Sequence, residues 1–368
     1  MIVPIPIAIA LPDLAGGGAQ RVMLTLAGGL DPACYRVHLI VLGGSQAFVG
    51  SIPAGIDTHI GTAPRLRSGL PWLIRTLTAI RPAIVISVMG YLNLALLGAR
   101  PLLPRGTRII VREANTVAST TTALPAWMPA RRLYQQLYPT ADAIVSPTPT
   151  ISDEIATLAP KAAARIRVIA NPVDTDSIRV RAAQPQRIPG AGLRLVAAGR
   201  LTHQKGFDRL VALLAELPPA SRVDVFGTGT EAAALQAQAQ ASGHADKIVF
   251  RGFTADLPAW VAGADAFLLP SRWEGLPNVV LESLAVGTPV IASPEAGVAE
   301  VACELAPGAL TVTPVESGFA RAITSLASLS EPWPIPRPSL LPACYLKPAV
   351  IAEWSALLDR LALERAAA

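Results

Sequence analysis

Residues 271–282 read Ser271-Arg272-Trp273-Glu274-Gly275-Leu276-Pro277-Asn278-Val279-Val280-Leu281-Glu282. Glu274 stands in a Gly/Pro loop, where backbone N–H groups are free. Glu282 falls one to two turns into the apolar helix that follows. One carboxylate is thus placed at a helix mouth and the other on the first exposed face of that helix. A helix mouth takes phosphate, because its first N–H groups lack partners and the macrodipole is positive there. Carboxylates beside a phosphate site point to hydroxyl recognition, and so to a sugar or a ribose. The stretch reads as a nucleotide-sugar pocket.

Working outward, apolar runs rich in Ile and Val recur on the N-terminal side at 5–11, 36–42, 83–88, 107–111, 142–146 and 166–170, and again at 193–198, 222–226, 247–250, 264–269 and 288–292. Short continuous apolar runs alternating with helical patterns mark a parallel sheet covered on both faces. The pattern appears twice, and 368 residues exceed what one core usually organises. The expected fold class is therefore α/β, two Rossmann-like domains facing across a cleft, with ligands at the carboxyl ends of the strands. The expected boundaries are a first domain at 1–178, a polar, Pro-containing linker at 179–191, a second domain at 192–342 and a C-terminal segment at 343–368. Pro332, Pro334, Pro336, Pro338 and Pro342 forbid a regular helix. Beyond them 348–365 reads as one amphipathic helix, expected to return to the first domain.

Hydrophobic residues make up 51% of the chain and charged residues 15%, yet no run of ~18 uninterrupted apolar residues is present to span a bilayer. The apolar start, broken by Pro4 and Pro6 and without a basic flank, reads as a first buried strand. Cys34, Cys303 and Cys344 offer neither a metal spacing nor a disulfide framework, which points to a reducing, cytoplasmic setting. Residues 1–182 hold 17 Lys and Arg against 9 Asp and Glu, whereas 183–368 hold 14 against 17. A basic first half suits an anionic partner: a membrane surface or a diphosphate-linked lipid. Nucleic acid is disfavoured, since no basic stripe interleaved with aromatics is seen.

Several further loops carry candidate chemistry. Gly16-Gly17-Gly18 follows a strand and opens a helix, so Gly17 and Gly18 would let a phosphate or sugar approach the backbone; a plain tight turn reads the same way. Gly199-Arg200-Leu201-Thr202-His203-Gln204-Lys205-Gly206 follows the first strand of the second half, where Arg200 and Lys205 would hold a diphosphate and stabilise it as it leaves. Gly227 and Gly229 follow another strand and either add backbone donors or make a turn. The segment containing Arg251 and Phe253 either lines a nucleobase with its main chain or is an ordinary strand end. Glu113 and Asn115, at a strand end in the first half, either touch an acceptor hydroxyl or serve as a solvated Glu and a helix cap. Asp174-Thr175-Asp176 spells a metal-binding D-x-D, but after Asn171-Pro172-Val173 it reads better as turn and helix-start chemistry. The four histidines show no ligand spacing, so no metal site is expected.

With these residues in place the chain resembles the family-4 retaining glycosyltransferases of GT-B fold. The resemblance covers almost the whole chain and is strongest over 193–301. It is carried by Glu274 and Glu282 as a Glu-x7-Glu motif, Gly199-Arg200-Leu201 with Lys205-Gly206, the N-terminal glycine loop, Asn171 to Asp174, and Gly287-Thr288-Pro289-Val290-Ile291-Ala292. It implies that Arg200 and Lys205 hold the donor diphosphate and that Glu274 contacts the donor sugar. Gly275, Leu276, Pro277 and Asn278 would give main-chain contacts, and Glu282 would hold the ribose. It also implies a UDP- or GDP-sugar donor, no cofactor and no metal. The leaving phosphate would take the acceptor's proton.

The resemblance further implies an acceptor site on the first domain: a polyprenyl-diphosphate-linked or lipid-A-type glycan, reached from the inner face of the membrane. Residues 65–81 (Arg65, Arg67, Arg75 and Arg81 around Trp72 and Leu73) and 127–138 (Trp127, Met128, Arg131, Arg132, Tyr134, Tyr138) are the membrane-facing candidates. Where many relatives carry a histidine in the segment matching 112–115, this chain has Ala114, which leaves Glu113 and Asn115 as substitutes. Two other readings stay open on the sequence: a nucleotide-sugar epimerase of the same fold, and a non-catalytic nucleotide-sugar-binding subunit.

Overall fold

The computed structural model describes residues 3–45, 51–63, 65–122, 128–186, 192–327 and 336–366. The chain divides into two compact units: Met1–Pro172 together with Lys347–Ala368, and Val173–Leu346.

The first unit is built on seven parallel strands: β1 (Ile5–Leu11), β2 (Tyr35–Val41), β3 (Asp57–Ile60), β4 (Ile84–Val88), β5 (Arg108–Arg112), β6 (Ala143–Ser146) and β7 (Ile166–Val168), in the order β3-β2-β1-β4-β5-β6-β7. Side chains alternate across the sheet. Ile7, Ile9 and Leu11 enter one apolar cluster, while Ala8 and Ala10 enter the other. Both faces are covered, which is why these strands read as continuous apolar runs and not as alternating ones.

The C-terminal helix Lys347–Ala366 belongs to this first unit. Val350, Trp354, Leu357, Leu358 and Leu361, spaced as one helical stripe, are buried in the same cluster as Ile7 and Ile9. Tyr35 Oη fixes the helix by donating to Asp359 Oδ1 at 2.5 Å. The expected return of the C-terminal helix to the first domain is therefore observed.

The second unit carries six parallel strands: β8 (Arg194–Ala198), β9 (Arg222–Phe226), β10 (Ile248–Gly252), β11 (Ala266–Leu269), β12 (Val290–Ala292) and β13 (Leu310–Val312), in the order β10-β9-β8-β11-β12-β13. The eleven apolar runs of the sequence each correspond to one strand. Asp57–Ile60 and Leu310–Val312 were not anticipated. Asp57, Thr58 and His59 fill the first, and the second is only three half-buried residues with Thr311 at its centre, so neither shows a continuous apolar run.

Strand order reverses between β1 and β4 in the first sheet and between β8 and β11 in the second. At such a switch point the connections leave neighbouring strands in opposite directions and open a crevice at the carboxyl ends. The two units meet in the chain at Pro172 and Val173. Part of the expected linker, Thr175–Arg181, is helical and lies in the second unit, where Arg179 donates to Ala285 O and Arg337 O at 2.9 and 3.0 Å. Residues 187–191, Trp127, Pro332 and Pro334 lie outside the described residues. Pro336, Pro338 and Pro342 stand in non-helical chain. Among the described residues no helix is long and apolar enough to cross a membrane.

Candidate active site

The switch point of the second sheet brings together the two stretches that the sequence singled out. β8 and β11 are neighbours, with Ala266 beside Leu195 and Phe267 beside Val196, so the loops after Ala198 and Leu269 leave the sheet side by side. Gly206 has φ +65°, and a Cβ there would lie 2.3 Å from Pro270 O. Only glycine both turns the chain this way and lets the first loop lie against the second. The loops are then stitched together. Arg272 N donates to Gln204 O at 2.8 Å, and Gln204 Nε2 donates to Trp273 O at 3.0 Å. Arg272 grips Asp208 with two nitrogens at 2.7 and 2.6 Å, and this bond holds the Asp208 carboxyl below the usual carboxylate range.

At the centre of this frame Lys205 Nζ donates to Glu274 Oε1 at 2.5 Å. Ser271 Oγ donates to the same oxygen at 2.9 Å. Both partners of the ion pair are largely out of water, with side-chain exposures of 15% and 9%. Arg200 is exposed at the edge of the first loop and makes no ion pair among the described residues. The site therefore offers one committed cation, one open cation and a buried carboxylate.

The helix Asn278–Ala285 begins immediately after this loop, with Pro277 at its N-cap. Gly275, Leu276 and Pro277 are buried; Asn278 and Glu282 are half-buried. Glu282 is the fifth residue of the helix, as the sequence placed it. The loop is backed by Gly297, whose φ is +66° and whose added Cβ would lie 2.5 Å from Gly275 O and 3.0 Å from Glu274 O.

The other donor-side candidates are engaged with the protein. Gly227 N donates to Gly252 O at 2.8 Å, and a Cβ on Gly227 would lie 1.9 Å from Gly199 O. A Cβ on Gly229 would lie 2.3 Å from Leu201 O. These glycines let the loop after β9 press against the Gly199–Leu201 backbone. Arg251 pairs with the buried Asp224 at 2.6 Å and lies over the Trp260 ring at 5.2 Å. Phe253 is exposed.

In the first unit, Gly17 caps the helix Gly18–Gly29 at the end of β1, beside the switch point with β4. Glu113 directly follows β5 and lies fully inside the protein. Its Oε1 accepts from Tyr134 Oη at 3.1 Å, from Asn93 Nδ2 at 3.3 Å and from Tyr138 Oη. Burial pushes its carboxyl up, against the downward pull of those hydrogen bonds. Asn115 Oδ1 accepts from Thr116 N at 2.9 Å and is half-buried. Tyr134 and Tyr138 face inward to Glu113, and Leu73 is likewise core, whereas Arg65, Arg67, Arg75, Arg81, Arg131 and Arg132 are exposed. Asp174 caps the helix Thr175–Arg181 through Ser177 N at 3.1 Å. Among the described residues no group of three His, Cys, Asp or Glu side chains is placed to hold a metal ion.

Sequence reasoning missed Ser271 and the Asp208–Arg272 pair. Ser271 stood in the quoted run, three residues before Glu274, where a hydroxyl reaches back to a carboxylate. The Asp208–Arg272 pair had no local signal, since its members are 64 residues apart.

Comparison with known proteins bears on this site. Residues 16–177 match the family model described as Glycosyltransferase Family 4, and residues 181–332 match that described as Glycosyl transferases group 1. The chain is 30% identical to the lipopolysaccharide core biosynthesis glycosyltransferase LpsE of Rhizobium meliloti over 51% of its own length and 54% of that protein. It is 29% identical to the 2-deoxystreptamine glucosyltransferase of Streptomyces kanamyceticus over 46% of its own length and 44% of that protein. The chain thus spans about half the length of the curated relatives it matches. Among solved structures, HepE of Anabaena in complex with UDP and glucose superposes with a TM-score of 0.76 at 16% identity, covering 97% of this chain and 100% of that one.

Proposed function

The chain belongs to the family-4 glycosyltransferases, of GT-B fold, and we propose that it transfers a hexose or N-acetylhexosamine from a UDP- or GDP-sugar, with retention, to a lipid-linked glycan of a surface polysaccharide. The observation that carries this reading is the Lys205–Glu274 pair at the switch point of the second sheet, with Arg200 open beside it.

In this reading Arg200 and Lys205 hold the donor diphosphate. Together the held Lys205 and the open Arg200 would stabilise the negative charge that develops as the bond from the anomeric carbon to phosphate breaks. Glu274 accepts a hydrogen bond from a hydroxyl of the donor sugar, the main chain of Gly275 to Asn278 lies along sugar and phosphate, and Glu282 holds the ribose. The acceptor hydroxyl attacks the anomeric carbon on the face the diphosphate leaves, and its proton passes to the departing phosphate oxygen. No protein base is then required, and the paired carboxylates orient the donor. In this reading the two cations offset the charge of the diphosphate, and it asks for no metal and no cofactor.

UDP with a hexose is favoured as donor because HepE was solved with UDP and glucose. A lipid-linked acceptor, polyprenyl-diphosphate-linked or of lipid-A type, is favoured by the likeness to LpsE and by the exposed arginines of the first unit, which suit an anionic membrane face. A thermal-shift panel of UDP- and GDP-sugars tests the reading. The true donor should raise the melting temperature by mass action, and a chain that none of them stabilises would not be a nucleotide-sugar transferase.

A further inference from the structure

We propose that Ser271 is a positioning residue for transfer, fixing the Glu274 carboxylate so that Oε1 is held by the protein and Oε2 is the acceptor presented to the donor sugar. The inference rests on the reading of Glu274 as the sugar contact.

A free carboxylate has two equivalent oxygens that a side-chain rotation exchanges. Here the equivalence is broken. Ser271 Oγ at 2.9 Å and Lys205 Nζ at 2.5 Å both donate to Oε1. Oε2 accepts from no described residue and is not sealed from solvent. Ser271 is itself fully buried, and its position is set from outside the loop. Its carbonyl accepts from Ser293 Oγ at 2.5 Å, and Ser293 N donates to Leu269 O at 2.9 Å, so the serine is tied across the ends of β11 and β12.

The two anchors differ in what donor binding does to them. Lys205 is a cation, and a diphosphate arriving beside it competes with Glu274 for its three N–H groups. A buried neutral hydroxyl faces no such competition. Once the donor is in place, Ser271 is therefore the anchor that keeps Oε2 aimed. Without it the carboxylate turns on Lys205 alone, and the sugar hydroxyl loses a fixed acceptor while the diphosphate keeps its cations.

The test separates sugar from nucleotide. UDP, UDP-glucose, GDP and GDP-mannose are titrated calorimetrically into the full chain, and the nucleotide that wild type binds more tightly with its sugar is carried forward. Ser271→Ala is expected to weaken the sugar nucleotide five- to tenfold and to move the nucleoside diphosphate less than twofold. In a Glu274→Ala background the same change should add less than twofold, since the group it positions is gone. Equal weakening of both ligands, undiminished binding of the sugar nucleotide, or additive losses in the double variant would each overturn the proposal in favour of a structural serine. If Ser271→Ala does not fold, Ser271→Cys, of similar shape but a weak donor, takes its place. Wild type that binds none of the four ligands would sink the donor-site reading itself, and this proposal with it, a result distinct from those seen in the variants.

Discussion

Lys205 and Glu274 are both largely removed from water, so each is costly without the other. Lys205→Ala should lower transfer by about a hundredfold or more, the usual effect of removing a fixed charge from a developing anion. The fold should survive with a loss of about 1–3 kcal/mol, because Ser271 still donates to Glu274. Rate assays and melting curves on the same sample check both halves. Gly227 and Gly252 have φ of +129° and +72°, but a Cβ on Gly227 meets Gly199 O whereas nothing lies within 4 Å of one on Gly252. Gly252→Ala should cost about 1–2 kcal/mol for the backbone conformation alone. Gly227→Ala should cost clearly more in denaturant titrations and should weaken nucleotide binding by displacing Gly199 and Arg200. In the sequence Gly227 reads as either a backbone donor or a turn, since spacing reports a turn but not which backbone will press against it.

At the scale of elements, what was legible followed burial. Strands covered on both faces announced themselves as apolar runs; β3 and β13 did not, because Asp57, Thr58 and His59 fill the first, where Thr58 and Ile60 are exposed, and the second is only three half-buried residues with Thr311 at its centre. The C-terminal helix was legible from its stripe, and Trp354 is its buried centre. Trp354→Ala should destabilise the first unit by about 3–5 kcal/mol. Trp354→Phe, which drops an indole N–H without a partner among the described residues, should cost less. Glu113 was legible as a strand-end carboxylate but not as a buried one, because Tyr134 and Tyr138 reach it from a helix some twenty residues on. Burial raises its folded value above the ordinary 4.5, so the folded state holds the proton more tightly. The stability linked to Glu113 is full below 4.5 and is lost as pH rises through the folded value. Denaturant titrations of wild type from pH 4.5 upward should show this loss in the first unit, and Glu113→Gln, which cannot ionise, should flatten it.

Over the whole molecule, charge follows the division into units. Met1–Pro172 with Lys347–Ala368 holds 18 Lys and Arg against 10 Asp and Glu, and Val173–Leu346 holds 13 against 16. Within the first unit, residues 58–112 contain eight arginines and no acidic residue. Arg65, Arg67, Arg75 and Arg81 flank or lie on the helix Leu66–Ile80, are exposed, and make no ion pair among the described residues. The aromatic half of the expected membrane face is different: Tyr134 and Tyr138 are core, and Trp72 is half-buried, so arginine charge is what the surface offers. If the acceptor is lipid-linked as proposed, binding to a bilayer should be electrostatic before it is hydrophobic. The chain should co-sediment with vesicles containing phosphatidylglycerol and not with pure phosphatidylcholine, and raising salt well above physiological strength should release it. Each basic side chain near an anionic surface contributes about 1 kcal/mol. Replacing the four arginines with alanine should therefore weaken binding by at least a hundredfold while leaving nucleotide-sugar affinity unchanged. Sedimentation of the quadruple variant together with the wild type would place the membrane contact elsewhere on the molecule.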